Sequence, residues 1–400
     1  MGISLGLVGL GAFGSAFADM FKSHPAVDRV GLCDMEPERI EKFASKPGWK
    51  DKFNPKDTYA TFDEIVRADF DALVIITQPW LHAPQAIEAM KRGKHVYSAV
   101  PIISLPDGNE IIDYINQIVE LSRTSGKNYM LGETTYYRPE TMFSRRKAAA
   151  GEFGEFVFGE GEYYHDVDVL GCSLRGVQKH RTSSKSGQEW LKMKKKYQDA
   201  GIKGGPMHYP THSVSGPLCV MNTYAKKVTA YGFNTSKQDD HFSDTAFMNE
   251  TAFFQLANGA SMRINEYRKC GCLSREMFNL IGSDGSFFGG EHTNSHWGVS
   301  RWMTNQTIQH LTLDDMRDPL PPEVLEAFKG ISEKSDAYGG HGGSHAYLVN
   351  EFIMSIVEER QSAINAWVAA RIMAPGVMAH ESALKGGATL DVPDWGDAPK

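Results

Sequence analysis

Over the first third of the chain, short apolar runs alternate with stretches of helical spacing. "ISLGLVG" (3–9) is a continuous apolar run, and the segment after it sets Phe13, Phe17 and Phe21 four apart, on one face of a helix. "RVGLCD" (29–34), "DALVIIT" (71–77), "KHVYSA" (94–99) and "NYMLGE" (128–133) repeat the strand pattern, with helices predicted at 78–93 and about 107–124. Strands that are apolar throughout are buried on both faces, which predicts a parallel sheet covered by helices. From about residue 135 the period changes. Long alternating runs at 155–165, 226–233, 245–267 and 275–289, with turn signals at Asn258-Gly259 and Asp284-Gly285, predict an open, mostly antiparallel sheet. One face should rest on helices and leave the other free for a ligand or a second subunit. A last helix is expected at about 366–384 as a packing element.

The expected fold class is therefore α/β. It has an N-terminal doubly wound parallel sheet over residues 1–134 and a C-terminal α+β domain over 135–400. At 400 residues, 41% apolar and 23% charged, the chain has material for two ordinary globular cores. A formal net charge of -7 gives no electrostatic reason to expect nucleic acid or an anionic membrane as partner. The N-terminal apolar run lacks a basic leader, so no signal peptide is expected, and no run approaches the roughly 18 apolar residues of a membrane span. Five cysteines, with Cys270 and Cys272 spaced C-x-C, fit neither a disulfide framework nor a zinc knuckle, and point to a reducing, cytoplasmic setting.

Chemistry enters at the first strand-to-helix junction. Gly9-Leu10-Gly11-Ala12-Phe13-Gly14 is a G-x-G-x-x-G: one glycine makes the turn, one admits a diphosphate, and one lets helix and strand approach. The second strand ends at Asp34, twenty residues past Gly14, where a carboxylate accepts from a ribose 2′-hydroxyl and repels a 2′-phosphate. That favours NAD over NADP and makes residues 1–134 an NAD-binding Rossmann domain. The alternative for Asp34 is a cap on the following helix. Ligands of such sheets bind at the carboxyl ends of the strands, which places Thr77, Gln78, Trp80, His82, Ser98, Ala99, Val100, Pro101 and Glu133 on one rim. Glu133 is costly there unless it binds something; an ion pair with a rim residue such as Arg138 is the alternative.

The densest concentration of proton-handling groups is "GGPMHYPTHSV" (204–214). His208 and His212 could be a metal pair, an acid or base, or structural histidines at a helix start. Pro210 between them argues that His208 precedes the helix His212 enters, and no third ligand is evident, so no metal is expected. Histidine changes charge near neutral pH and suits proton transfer. Residues 175–203, rich in lysine and arginine, read as a solvated basic excursion and a candidate lid, with polyanion binding the less favoured reading. The glycines of "YGGHGGSHAYLVNEF" (338–352) free the backbone to deliver His341 to a cleft, or serve as a hinge.

The fingerprint, "ITQPWLHAPQAIEAMKRGKHV" (76–96) and the proline after the next strand resemble the Gfo/Idh/MocA oxidoreductase family over nearly the whole chain. Most members end the fifth strand in Glu-Lys-Pro, whose lysine assists proton transfer; here it reads Ala99-Val100-Pro101. That ending, "MLGETTYYRPE", "GEGEYYHDV", "YPTHSVSGPL" and "GGHGGSHAYLVNEF" resemble the NAD-dependent glycoside hydrolase branch, which includes α-N-acetylgalactosaminidases acting by transient oxidation. The resemblance implies an NAD-dependent enzyme that oxidises a secondary hydroxyl, at C3 of a pyranose, in a sugar or glycoside. It implies His212 as proton acceptor, with Tyr163, His208 and Glu133 as further catalytic candidates and His165, Tyr209 and His341 as substrate contacts. It also implies an oligomer, a dimer or tetramer, built on the second domain. The branch carries another functional tyrosine just before the strand "REMFNLIGSDG"; this chain has Leu273 and Ser274 there. Dehydrogenation is therefore favoured, with full glycoside hydrolysis as the alternative and a non-catalytic NAD- or sugar-sensing protein as a second.

Overall fold

The computed structural model describes residues 2–171, 173–290, 292–293, 296–331 and 337–399. The N-terminal half runs β1 (Ile3–Val8), α1 (Ala12–Ser23), β2 (Val27–Cys33), α2 (Pro37–Ala44), β3 (Phe53–Tyr59), α3 (Phe62–Ile65), β4 (Ala72–Ile75), α4 (His82–Lys91), β5 (His95–Ser98), α5 (Gly108–Ser125) and β6 (Tyr129–Leu131). Its six strands lie in the order β3-β2-β1-β4-β5-β6, all parallel. This is the doubly wound Rossmann order, and its reversal between β1 and β4 opens a crevice at the strands' carboxyl ends. The apolar runs became β1, β2, β4, β5 and β6 as expected, β6 being an edge strand that is nonetheless buried. β3 had no apolar signature because it is an edge strand, exposed over Asn54–Lys56 and carrying Pro55.

The chain continues through α6 (Pro139–Ala149), β7 (Phe156–Tyr164), α7 (Leu174–Ser183), α8 (Lys185–Asp199), α9 (Thr211–Met221), β8 (Ala225–Phe233), β9 (Asn249–Leu256), β10 (Ser261–Tyr267), β11 (Arg275–Gly282) and β12 (Gly285–Phe288). A small ribbon of β13 (His292–Thr293) and β14 (His296–Trp297) precedes β15 (Ser300–Thr304) and β16 (Ile308–Leu311). Then follow α10 (Leu313–Met316), α11 (Pro322–Phe328), α12 (Ser344–Val357), α13 (Ala366–Leu384) and β17 (Leu390–Asp391). Among the described residues nine strands form the second sheet, ordered β16-β15-β12-β11-β7-β10-β9-β8-β17, with β7 and β10 its parallel pair. α9 packs on β7, β10 and β11, and α13 on β8 and β9. The opposite face leaves Tyr231, Phe233 and Phe253 exposed. The basic stretch at 175–203 is two helices, α7 and α8, capped by Ser173 and Ser184. Among the described residues, no helix is long and apolar enough to cross a membrane.

α13 joins the halves. Trp367, Ala370, Met373 and Val377 belong to the core under the parallel sheet, while Ala374, Ala379 and Ala383 belong to the core of the second sheet. Just before α13, the Ile364 carbonyl accepts from Leu131 N at the end of β6 (3.0 Å).

Candidate active site

A cleft with an empty volume of about 1570 Å³, its mouth included, opens along the carboxyl ends of the parallel strands, between them and the second sheet. Among the residues expected at a site, Phe13, Thr77, His82, Ala99, Val100, Tyr163, His165, His208, Tyr209, His212 and His341 all line it. Gly9, Gly11, Ala12, Gly14, Asp34, Gln78, Trp80, Pro101 and Glu133 do not. Trp80 is instead buried beneath Trp190, ring on ring at 4.8 Å. Pro101 acts through its carbonyl, which accepts from His82 Nδ1 (2.8 Å) while His82 Nε2 lies 3.3 Å from the Thr77 carbonyl. Burial holds the His82 pKa down to about 4, so the ring is neutral; its one N–H anchors the chain after β5 through Pro101, while the other nitrogen only abuts the end of β4.

His212 sits in the first turn of α9, with Pro210 as the residue before it. Proline is tolerated there because that N–H has no helical partner. His212 Nδ1 donates to Glu133 Oε1 at 3.0 Å, and Glu276 Oε1 lies 3.8 Å away. Glu133, fully buried, also accepts from Thr135 N (2.8 Å), and among the described residues its Oε2 finds no hydrogen-bond partner. Arg138 pairs with Glu276, not with Glu133 (Nη2 to Oε2, 2.7 Å), and Thr135 Oγ1 donates to the other Glu276 oxygen. Burial works against a charged His212, yet the two carboxylates outweigh it and raise its pKa to about 9. Burial likewise opposes a charged Glu276, but Arg138 and His212 bring it down to about 2. At neutral pH the ligand-free centre is therefore an imidazolium between two carboxylates, the second of them neutralised by a guanidinium.

Strand register explains how these groups meet. Tyr163 of β7 stands opposite Glu276 of β11 on one side and Glu266 of β10 on the other, and Glu266 stands opposite Glu250 of β9. One row across four strands is thus Glu276, Tyr163, Glu266, Glu250. Each meets a partner: Glu266 binds Ser213 and Arg268, Glu250 binds His380 Nδ1 (2.7 Å), and Tyr163 hydroxyl bonds His165 Nδ1 (2.8 Å). The Tyr163 ring lies 4.9 Å from that of His212, and Tyr209 hydroxyl is 3.5 Å from His212 Nε2.

His208 is placed differently. It is buried in the turn before α9, its Nδ1 donates to the Leu105 carbonyl (3.0 Å), and its ring meets that of His380 edge-on at 4.4 Å. Burial, with His380 beside it, lowers its pKa to about 3. His341 reaches the cleft from a left-handed backbone (φ 50°) and bonds His345 (2.9 Å). Among the described residues, no cluster of three or more His, Cys, Asp or Glu side chains is placed to hold a metal ion.

Residues 3–131, β1 through β6, match the model of the Gfo/Idh/MocA oxidoreductase family, described as an NAD-binding Rossmann fold. Across 98% of this chain and 88% of its own length, a protein of Solibacter usitatus named as a glycosyl hydrolase family 109 protein is 23% identical. A namesake from Streptomyces filamentosus is 33% identical over 42% of this chain, a match spanning 34% of that relative. A levoglucosan dehydrogenase solved with NADH and levoglucosan superposes with a TM-score of 0.71 over 98% of this chain and all of its own, at 15% identity. At that identity it shows the fold alone.

The matched model is that of an NAD-binding fold, and the first crossover fits this cofactor. Gly9 holds φ 88°, and a Cβ there would lie 2.4 Å from the Ile76 carbonyl oxygen. A Cβ on Gly11 would meet nothing nearer than Arg39 at 3.9 Å, so the space above it is open. α1 begins without a side-chain cap, leaving first-turn N–H groups for an anion. Asp34 does not cap α2; its Oδ2 accepts from Leu10 N (2.7 Å) and its Oδ1 from Glu36 N (2.9 Å), which fixes the glycine turn. Gly9→Ala is expected to cost about 1–2 kcal/mol from left-handed strain alone, and more from overpacking. A lowered Tm together with lost NAD binding in a titration would bear this out.

Proposed function

We propose that this Gfo/Idh/MocA protein oxidises a secondary hydroxyl of a sugar or glycoside, at C3 of a pyranose, to a keto sugar. The observation that carries the reading is His212, held between Glu133 and Glu276 on the wall of a cleft whose other wall is the cofactor rim at Ala99 and Val100. NAD, when bound, accepts the hydride that leaves the carbinol carbon. The hydroxyl proton goes to His212 Nε2, the ring nitrogen not engaged with Glu133. Glu133 fixes the tautomer and, with Glu276, stabilises the imidazolium that results. Glu133 does not reach the cleft itself and acts through His212, as a positioning residue. No lysine is needed at position 100, because the proton acceptor comes from α9. Tyr163 and His165, bonded to each other, and Tyr209 and His341 offer hydroxyl and ring contacts that orient the sugar. His208, neutral and tied to a backbone carbonyl, shapes the wall.

A second reading is glycoside hydrolysis through the same ketone, favoured by the name of the Solibacter relative that aligns over nearly the whole chain. A 3-keto sugar has an acidified C2 hydrogen, and His212 returned to its neutral form could remove it. Against this stands Leu273, half exposed in the loop before β11 where that branch carries a tyrosine. Incubation with free sugars and aryl glycosides, with NAD and an external electron acceptor, tests both. We expect a 3-keto product with the glycosidic bond intact. Release of aglycone with exchange of the C2 proton for solvent deuterium would establish the hydrolase, and no turnover of any sugar despite bound NAD would overturn both.

A further inference from the structure

The α7–α8 hairpin belongs by sequence to the second half but crosses to the Rossmann rim. On the rim side, Lys185 Nζ donates to the Met35 carbonyl (3.1 Å) and lies 4.0 Å from the Glu36 carboxylate, next to Asp34. Five residues on, Trp190 stacks on Trp80, with ring planes within 13°. On the other side, Arg175 forms a fork with both oxygens of Asp239, in the loop after β8 (2.9 and 2.8 Å). The hairpin is thus tied down at both ends, with the cleft between its anchors.

Arg181 lies between those anchors. It lines the cleft together with Thr77, Val100 and Tyr209, is solvent-exposed, and among the described residues its guanidinium makes no hydrogen bond or ion pair. Arg175, two turns earlier on the same helix, has two aspartates. Among the described residues no aspartate or glutamate lines the cleft, although the chain carries a net charge of -7. An uncommitted guanidinium in a cleft without carboxylates is suited to an anion. Phe13, in the first turn of the uncapped α1, lines the same cleft, and Arg181 stands four residues from the Lys185 contact beside Asp34; the anion that suits this end of the cleft is the diphosphate of the dinucleotide.

We propose that Arg181 is a ligand of the cofactor diphosphate supplied from outside the Rossmann domain, and that the α7–α8 hairpin straps the dinucleotide into its cleft. The glycine turn and the α1 N-terminus take one side of the diphosphate and Arg181 the other. The strap needs no particular sugar, so it stands or falls apart from the substrate reading.

The test is equilibrium and stopped-flow binding of NADH, ADP-ribose and adenosine to the full-length protein and its Arg181→Met and Trp190→Ala variants. Arg181 is exposed, so the first variant should keep the wild-type Tm. We expect Arg181→Met to weaken NADH and ADP-ribose by about 10- to 100-fold, the range for loss of a hydrogen bond to a charged group, and to leave adenosine unchanged. Trp190→Ala should speed NADH release by about tenfold, the order expected when an aromatic pair anchoring the strap is removed. Trypsin should cut the hairpin of the apoprotein at its lysines and arginines, and NADH should protect those sites. Unchanged affinity for NADH and ADP-ribose in Arg181→Met overturns the proposal. So does a rise in KM for an acidic sugar with cofactor affinity intact, which would assign Arg181 to an anionic substituent of the substrate.

Discussion

His212→Asn is expected to lower kcat for sugar oxidation by about 10²–10⁴, the usual contribution of a positioned acid or base, and to leave NAD affinity nearly unchanged. Asparagine matches the near end of the imidazole and can still donate to Glu133, so the packing of α9 against β7 and β11 survives. What is lost is the ring nitrogen that faces the cleft. The division between kcat and binding is informative because a structural histidine at this place would disturb both. A variant that keeps wild-type kcat would remove His212 from the chemistry and return the choice of base to Tyr163 or Tyr209.

The rate of oxidation is expected to rise about tenfold per pH unit from pH 7 and to level as pH passes the raised pKa of His212, about 9. The sign follows from the role. Oxidation needs the neutral ring as acceptor, and two units below its pKa about one molecule in a hundred has it. Reduction of the keto sugar needs the imidazolium, so its rate should stay nearly level up to that pKa and fall about tenfold per pH unit above it. The positive charge of the oxidised nicotinamide repels the imidazolium and moves the oxidation limb to lower pH than the reduction limb. Glu133→Gln removes the larger of the two carboxylate effects but keeps an acceptor for Nδ1. Its limb should move toward the ordinary histidine value while its plateau rate falls, since the imidazolium formed in the reaction has lost a counter-charge. Initial rates in both directions between pH 6 and pH 10, for the wild type and this variant, check the point; a limb that does not move with Glu133→Gln would separate His212 from the titration.

How much of this centre could be read in advance depends on which residues carry their own context. The glycine turn could be, because Gly9 to Gly14 sit between an apolar strand and a periodic helix. His212 could be placed at a helix start because Pro210 fixes where the helix begins. Glu276 could not. It lies two residues before Phe278 and four before Leu280, on the inward face of β11, and a lone carboxylate on an apolar face was its only signal. That it meets Tyr163 is a matter of strand register, which no local pattern in either strand specifies. The same blindness hid the pairing of Arg138 with Glu276 in place of Glu133. The basic stretch at 175–203 read as a solvent face because its charges outnumber its apolar residues. Its two anchoring contacts, Trp190 on Trp80 and Lys185 beside Glu36, lie more than a hundred residues away in sequence.

α13 contributes side chains to both cores and passes so close to the turn before His212 that a Cβ on Gly376 would meet the Met207 carbonyl at 2.2 Å. The histidine and the cofactor rim come from opposite halves, yet one helix is packed into the cores of both. Such an arrangement behaves less like a jaw that closes at every turnover than like a vice already set at its working gap. Little binding energy is then consumed in bringing the walls together, and more remains for selectivity among sugars.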